Sequence, residues 1–339
     1  MRVKIPAVIC IGVIVIIFGV ALGSVWIPPG EIWDIVRYRV FGSSHPEYVT
    51  PISDAIVWNL RLPRALLAFI VGGALSVSGA VMQSVLRNPL ASSYTLGVSS
   101  GASLGAGIII LYGVTIPLLG MLTLPLTGFV FGLGTMVLAI AFASRIDGQM
   151  ENNTIILTGM VFSLFVNAMT TLISSLEREH MQRLIFWQMG SFSMKDWSAV
   201  FILLPVVVVG TLFIFHFNRE LDMMTFGEEQ AKTMGVNLKR VKWTLLITSA
   251  ALTGSAIAFS GVIGFVDLVA PHIVRRLFGS AHRYVIPMSA IFGGAFMVIC
   301  DLVARTIISP SELPVGAVTA IIGAPFFAYI YFGRRAKKM

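Results

Sequence analysis

Residues 61–91 read RLPRALLAFIVGGALSVSGAVMQSVLRNPLA. Between Arg64 and Arg87 the chain carries only apolar and small or neutral polar side chains, with no charge. About 20 such residues cross the hydrocarbon core of a bilayer as a helix. In lipid every backbone N–H and C=O must be satisfied within a helix or a closed barrel, and a long uninterrupted apolar run selects the helix. Pro89 ends it at a polar turn, because the residue before a proline is pushed out of the helical region.

Read outward from this stretch, apolar spans fall at 6–27, 64–85, 95–113, 117–143, 154–176, 198–217, 242–262, 264–278, 287–307 and 314–333. The expectation is an all-α fold, a polytopic membrane helix bundle of about ten transmembrane helices forming one domain over residues 1–339. Composition agrees: 56% of the residues are hydrophobic and 12% charged, against about a quarter charged in a soluble domain, and the mean hydropathy is +0.88.

The net charge of +8 does not mark a nucleic-acid protein, because the basic residues sit between apolar runs and form no exposed stripe. Sixteen of the 24 Lys and Arg fall on one side of the predicted spans, among them Arg145, Arg219, Lys239, Arg240, Lys242, Arg275, Arg276, Arg334, Arg335, Lys337 and Lys338. That side is therefore expected to be cytoplasmic. An even number of spans returns both termini there and leaves 28–63 and 177–197 outside. The start, Met1 to Lys4 and then Ile5 to Leu22, with Ala21 and Gly23 near a possible cleavage point, has the outline of a secretory signal. The run is longer than a usual signal core and nine spans follow it, so a first transmembrane helix is the simpler reading.

Cys10 and Cys300 lie inside apolar runs without metal-ligand spacing and read as small apolar residues, so neither a disulfide framework nor a metal site is expected. Gly101, Gly105 and Gly107, then Gly128, Gly132 and Gly134, give small-xxx-small patterns that predict close helix contacts. The eighth span is short and holds Gly264 and Pro271, which suggests a half-length helix buried among its neighbours. Residues 72–89 laid on 254–271 match at Gly72, Ala74, Ser78, Gly79, Leu86 and Pro89, a faint internal repeat.

Three groups of residues stand out. Arg61 and Arg64 open the second span with two guanidinium groups, each able to hold a carboxylate through two parallel bonds; the plain alternative is snorkelling to the interface. Arg305 closes the ninth span on the same side, and Asp301 one turn before it admits an i to i+4 ion pair. Gln83 and the turn Arg87-Asn88-Pro89-Leu90-Ala91 precede the Gly-rich Leu96-Gly97-Val98-Ser99-Ser100-Gly101-Ala102. Between the sixth and seventh spans, in a loop of about 218–241, Phe226 to Val236 reads as a short helix closed by Gly235. Glu228 and Glu229 lie near its start and Ala231 and Met234 face one side, which suits docking into a partner's groove.

Together these segments, with Gly79-Ala80-Val81-Met82-Gln83, Phe186-Trp187, Gly264-Phe265-Val266, Pro271-His272 and Glu312-Leu313-Pro314-Val315-Gly316, resemble the iron-siderophore and cobalamin permease family of binding-protein-dependent ABC importers. The resemblance runs in order from about residue 29 to residue 330. It implies two permease subunits, from the same or a sister chain, two cytoplasmic ATPase subunits and an extracytoplasmic substrate-binding protein. It further implies multi-pass residence in the inner membrane among its lipids and no cofactor.

By the same resemblance, Arg61, Arg64 and Arg305 dock the binding protein, while Gly227, Glu228, Glu229, Ala231 and Gly235 belong to the ATPase coupling element. Gln83, Asn88, Pro89, Leu90, Asn152 and Asn153 belong to the pathway and its gate, the family pattern being loosest at 151–153. A ferric siderophore is the expected cargo, with cobalamin or haem as the alternative.

Two rival readings were weighed against this one. Asp267, His272 and Asp301 lie in or near apolar spans, where ionisable groups are functional candidates. No HExxH, Gly-x-Ser-x-Gly or GxxxxGK[ST] motif accompanies them, so an enzyme is not indicated and energy must come from a partner or an ion gradient. An ion-coupled secondary transporter shares the buried carboxylates and broken helices. Only the predicted docking loop separates it from the ABC reading.

Overall fold

The computed structural model describes residues 4–23, 25–42, 44, 46, 48–177 and 179–333. Arg2, Arg178 and the basic tail from Arg334 to Lys338, which enter the charge argument above, lie outside the described residues. Among those described, every regular element is helical.

Helix α1 (Lys4–Ala21) is followed by α2 (Pro29–Phe41) and α3 (Pro51–Ala55). The Thr50 side chain accepts from the Ser53 N–H at 3.1 Å and Pro51 takes the first turn, so a polar sequence starts a helix well before the apolar run does. A π-helical turn, Ile56–Arg61, joins α3 to α4 (Leu62–Val85), and the three form one 35-residue helix from Pro51 to Val85. The stretch 28–63, expected to lie outside the membrane and assigned no span, is largely helical.

The chain continues through α5 (Val98–Tyr112), α6 (Thr123–Ile146), α7 (Asn152–Leu176), the short α8 (Met181–Gln188) and α9 (Trp197–His216). Two short helices, α10 (Asn218–Thr225) and α11 (Glu228–Thr233), lead to α12 (Leu238–Ser260), α13 (Val266–Phe278), α14 (His282–Thr306) and α15 (Val315–Gly333). Each expected apolar span overlaps a helix; among the described residues six helices are long and apolar enough to cross a membrane, so length and composition do not by themselves give the expected ten. Apolar parts of α1, α5 and α15 are shorter, and α13 has 13 residues.

Helix α4 is the axis of the bundle. Its most apolar stretch is 89% buried, against 28% for those of α7 and α9, and it packs against α14, α12, α13 and α9. Small side chains make this possible. A Cβ on Gly72 would lie 2.2 Å from the Gly293 carbonyl oxygen, and one on Gly79 would lie 2.0 Å from that of Asp267. Backbone meets backbone at both crossings, as small-residue interfaces allow. The close contacts expected of the glycine patterns are present where α5 meets α6, through Gly101, Gly105 and Gly132, whereas Gly134 faces open space.

Pro271 lies inside α13, which is buried along one face as expected of a half-length helix. A proline there cannot donate to the carbonyl of Asp267. The Gln83 Nε2 donates to that oxygen instead, at 3.2 Å. The proposed repeat does not extend into local structure: α4 runs through Gly79 to Val85, whereas the matched segment leaves the helix at Gly261 and is extended before α13.

Candidate functional site

Two polar clusters lie at opposite ends of α4, whose 24 residues span about 36 Å at 1.5 Å per residue. At the first, Arg61, Arg64 and Arg305 do meet, around a cavity of about 570 Å³ also lined by Asn59, Ser193, Lys195 and Glu312. Their partners are internal. Arg61 is 6% exposed; its Nη1 donates to the Val20 and Ala21 carbonyls at 3.1 and 3.0 Å, and its Nη2 to that of Val25 at 2.7 Å. Arg305 Nη2 donates to the Gly19 carbonyl. The last carbonyls of a helix have no partner within it; here guanidinium groups from the π-helical turn and from α14 supply donors and fasten α1 to both.

Arg64 holds two carboxylates. Its Nε donates to both Asp301 oxygens at 3.1 Å and its Nη2 to Oδ1 at 2.8 Å. On the outer side Nη1 donates to Glu312 Oε1 at 2.7 Å and Nη2 to Oε2 at 3.1 Å. Asp301 is buried at 2% while the Glu312 side chain is 34% exposed, so one carboxylate fixes Arg64 and the other covers its outward edge. Partial burial raises the Glu312 carboxyl, but the bonds and charge of Arg64 outweigh that and leave it below its usual range. The expected Asp301–Arg305 pair is looser, at 3.8 Å. Beside this cluster Trp197 Nε1 donates to the Trp58 carbonyl at 2.8 Å, tying the π-helical turn to α9.

At the opposite end a second cavity, about 730 Å³, is lined by Arg87, Gln149, Glu151, Asn152, Asn153, Phe226, Glu228, Glu229 and Lys232. This brings most of the expected coupling element and part of the expected gate to one place. Gly227 (φ +128°) starts α11 and Gly235 (φ +89°) ends it, conformations that favour glycine. Ala231 is buried against the core, so it does not present an apolar face outward. Asn88 Oδ1 accepts from the Leu90 N–H at 2.9 Å, shaping the turn and leaving Leu90 exposed. Asp147 accepts from the N–H groups of Glu151 and Gln149, which lower its carboxyl below the usual range.

Gln83 faces packed protein rather than a cavity: besides the Asp267 carbonyl, it accepts from Arg275 through Oε1. Arg275 Nη2 also meets Ser84 Oγ at 3.2 Å. Ser84 contacts His282 Nε2 at 2.6 Å, and His282 Nδ1 lies 2.6 Å from Asp222 on α10. This chain and a buried Lys242 described below were not anticipated, because their members are 14 to 198 positions apart and no local spacing marks them. Among the described residues no three His, Cys, Asp or Glu side chains are grouped as a metal ion would need.

Comparison with known proteins is consistent with this architecture. The model of the FecCD transport family matches residues 11–333. The uncharacterized ABC transporter permease protein YvrB of Bacillus subtilis (strain 168) is 44% identical over 93% of this chain and 89% of its own length. The cobalamin import system permease protein BtuC of Halobacterium salinarum is 37% identical over 86% of this chain and 77% of its own. A solved structure described as an inward-facing conformation of a metal-chelate type ABC transporter superposes with a TM-score of 0.85 at 27% identity, covering 98% of this chain and all of that one. With its buried α4 axis, its apolar outer helices and these relatives, the chain is a multi-pass membrane protein that belongs to the FecCD transport family of ABC importer permeases.

Proposed function

We propose that this permease crosses the inner membrane ten times with both termini in the cytoplasm, pairs with a second permease subunit, and moves a ferric siderophore inward by alternating access. Two cytoplasmic ATPases supply the energy, and an extracytoplasmic binding protein delivers the cargo at the arginine end. The observation that carries the reading is the arrangement of charge: three guanidinium groups around a cavity at one end of α4, with Arg64 among them holding a replaceable carboxylate, and at the other end a short acid-tipped helix seated on the turn that starts α7.

Docking at the arginine end is an exchange of carboxylates. Arg61 and Arg305 hold the rim together, and Arg64 turns its outer edge toward the cavity with Glu312 as occupant. An acidic side chain of the binding protein takes the place of Glu312, a bidentate bond for a bidentate bond. At the other end α11 meets the ATPase through Glu229 and its flanks, while Asn88–Leu90 and Asn152–Asn153 form the inner gate. Helix α7 supports a pathway beside it. Met160, Asn167 and Thr171 are exposed at helical spacing along it, and the polar pair Asn167 and Thr171, well inside the helix, belongs beside water or another subunit.

Cargo is the finer part of the reading. A ferric siderophore and cobalamin are both metal chelates, in keeping with the description of the solved relative, and cobalamin or haem is the alternative. The test is uptake of labelled ferric hydroxamates, ferric catecholates, haem and cobalamin in a strain lacking this chain, and in one whose partner ATPase is inactive. The proposal expects one ferric siderophore to be lost in both strains. Loss of cobalamin or haem instead reassigns the cargo, and unchanged uptake of the whole panel overturns the reading in favour of ion coupling. Glu228→Arg with Glu229→Arg is expected to abolish uptake while the chain still inserts.

A further inference from the structure

Lys242, in the first turns of α12, is fully buried. Its ammonium has three protons and three acceptors: the Met150 carbonyl at 2.7 Å, Asn152 Oδ1 at 2.9 Å and Glu228 Oε1 at 2.8 Å. These come from the turn between α6 and α7, from the first residue of α7 and from the first residue of α11. A second strut runs parallel, from Lys232 Nζ on α11 to Gln149 Oε1 in the same turn at 3.2 Å. Met150 is held at φ +55°, a left-handed conformation uncommon for a residue with a side chain, by the Lys242 bond and by its own N–H to the Asp147 carbonyl. The turn is thus kept in an uncommon shape by the same cation that holds α11.

We infer that Lys242 is the positioning residue that ties α11 to the start of α7, so that a displacement of α11 moves Met150, Asn152 and the helix behind them. The inference rests on the transport reading above and names a link within it. An isolated buried ammonium is strongly disfavoured, so when Glu228 moves the cation moves with it or loses its charge partner. The two carboxamide and carbonyl acceptors of the α7 turn are bound to the same nitrogen and follow. Glu228 therefore acts inward, on this chain, while its neighbour Glu229 faces outward.

The test uses the full-length chain in lipid nanodiscs with its co-expressed ATPase, in a background with Cys10→Ala and Cys300→Ala. A spin label on Leu157→Cys, exposed on α7, reports that helix through its mobility. Wild type is expected to change label mobility when ATP and vanadate are added. Lys242→Met is expected to lose that change while the ATPase remains bound and hydrolyses ATP; the Glu228 side chain that it leaves unpaired is 25% exposed and can be hydrated. Glu228→Gln, at a partly exposed position, is expected to lose it as well and guards against misfolding of the first variant. An ATP-driven change that persists in both variants overturns the inference while leaving the transport reading intact. A wild-type label that ignores nucleotide, or a chain that binds no ATPase, overturns the transport reading and this link with it.

Discussion

Arg61 fastens the end of α1 and the segment after it through three carbonyl bonds, and it is 6% exposed. Removing it takes a charged donor from those carbonyls, so Arg61→Met is expected to cost on the order of 2 kcal/mol of stability, the scale of a charged hydrogen-bond set; a thermal melt in detergent measures it. Arg64 behaves differently. Glu312→Gln removes the charge from its outer edge and is expected to tighten capture of the loaded binding protein several-fold, read by surface-immobilised binding, whereas Arg64→Glu is expected to abolish capture. The Glu312 carboxyl is held below its ordinary value of 4.5. Its pairing with Arg64 therefore stabilises the fold fully above that pH and is lost as the pH falls through the lowered folded value. Wild-type melts are expected to drop across that acid window by more than those of Glu312→Gln. The arginines were legible as charges at a helix start, but not their carbonyl partners, because a helix end advertises no acceptor in sequence. Glu312 and Asp301 face Arg64 from across the bundle, 248 and 237 positions away.

At the scale of elements, the apolar runs marked helices well because burial in lipid and burial in protein demand the same composition. They missed α2 and the early start of α4, where Thr50 and proline at the first turn begin a helix in polar sequence. The glycine patterns foretold close packing at α5 and α6 without naming the partner, and gave no sign of the still closer crossings of α4 with α14 and α13, where a carbon on Gly72 or Gly79 would lie 2.2 or 2.0 Å from a carbonyl oxygen. Backbone cannot step aside as a flexible side chain can. Gly72→Val and Gly79→Val are therefore expected to destabilise the bundle by about 3 kcal/mol or more, or to prevent assembly. Gly134→Ala, with no atom within 4 Å of the added carbon, is expected to be neutral or to gain up to about 1 kcal/mol from helix propensity. Melting temperatures of the three variants separate crossing from composition.

Over the whole molecule the most apolar stretches of α7 and α9 are only 28% buried. Leu157, Leu164, Phe165 and Leu172 of α7 are exposed along with Asn167 and Thr171. Apolar residues alone are met by lipid; polar ones at the same depth are better placed beside water or another subunit. On the proposed reading a lone chain offers half a pathway, and the two ends of α4 are the surfaces through which cargo delivery and nucleotide energy reach it. On that reading this energy comes from ATP. The test is to reconstitute the chain with its ATPase in liposomes, add the binding protein loaded with labelled ferric siderophore on one side, and measure accumulation with ATP on the other. Accumulation that requires both the loaded binding protein and hydrolysable ATP is the predicted result. Accumulation by the chain alone under a proton or sodium gradient, indifferent to ATP, would contradict it.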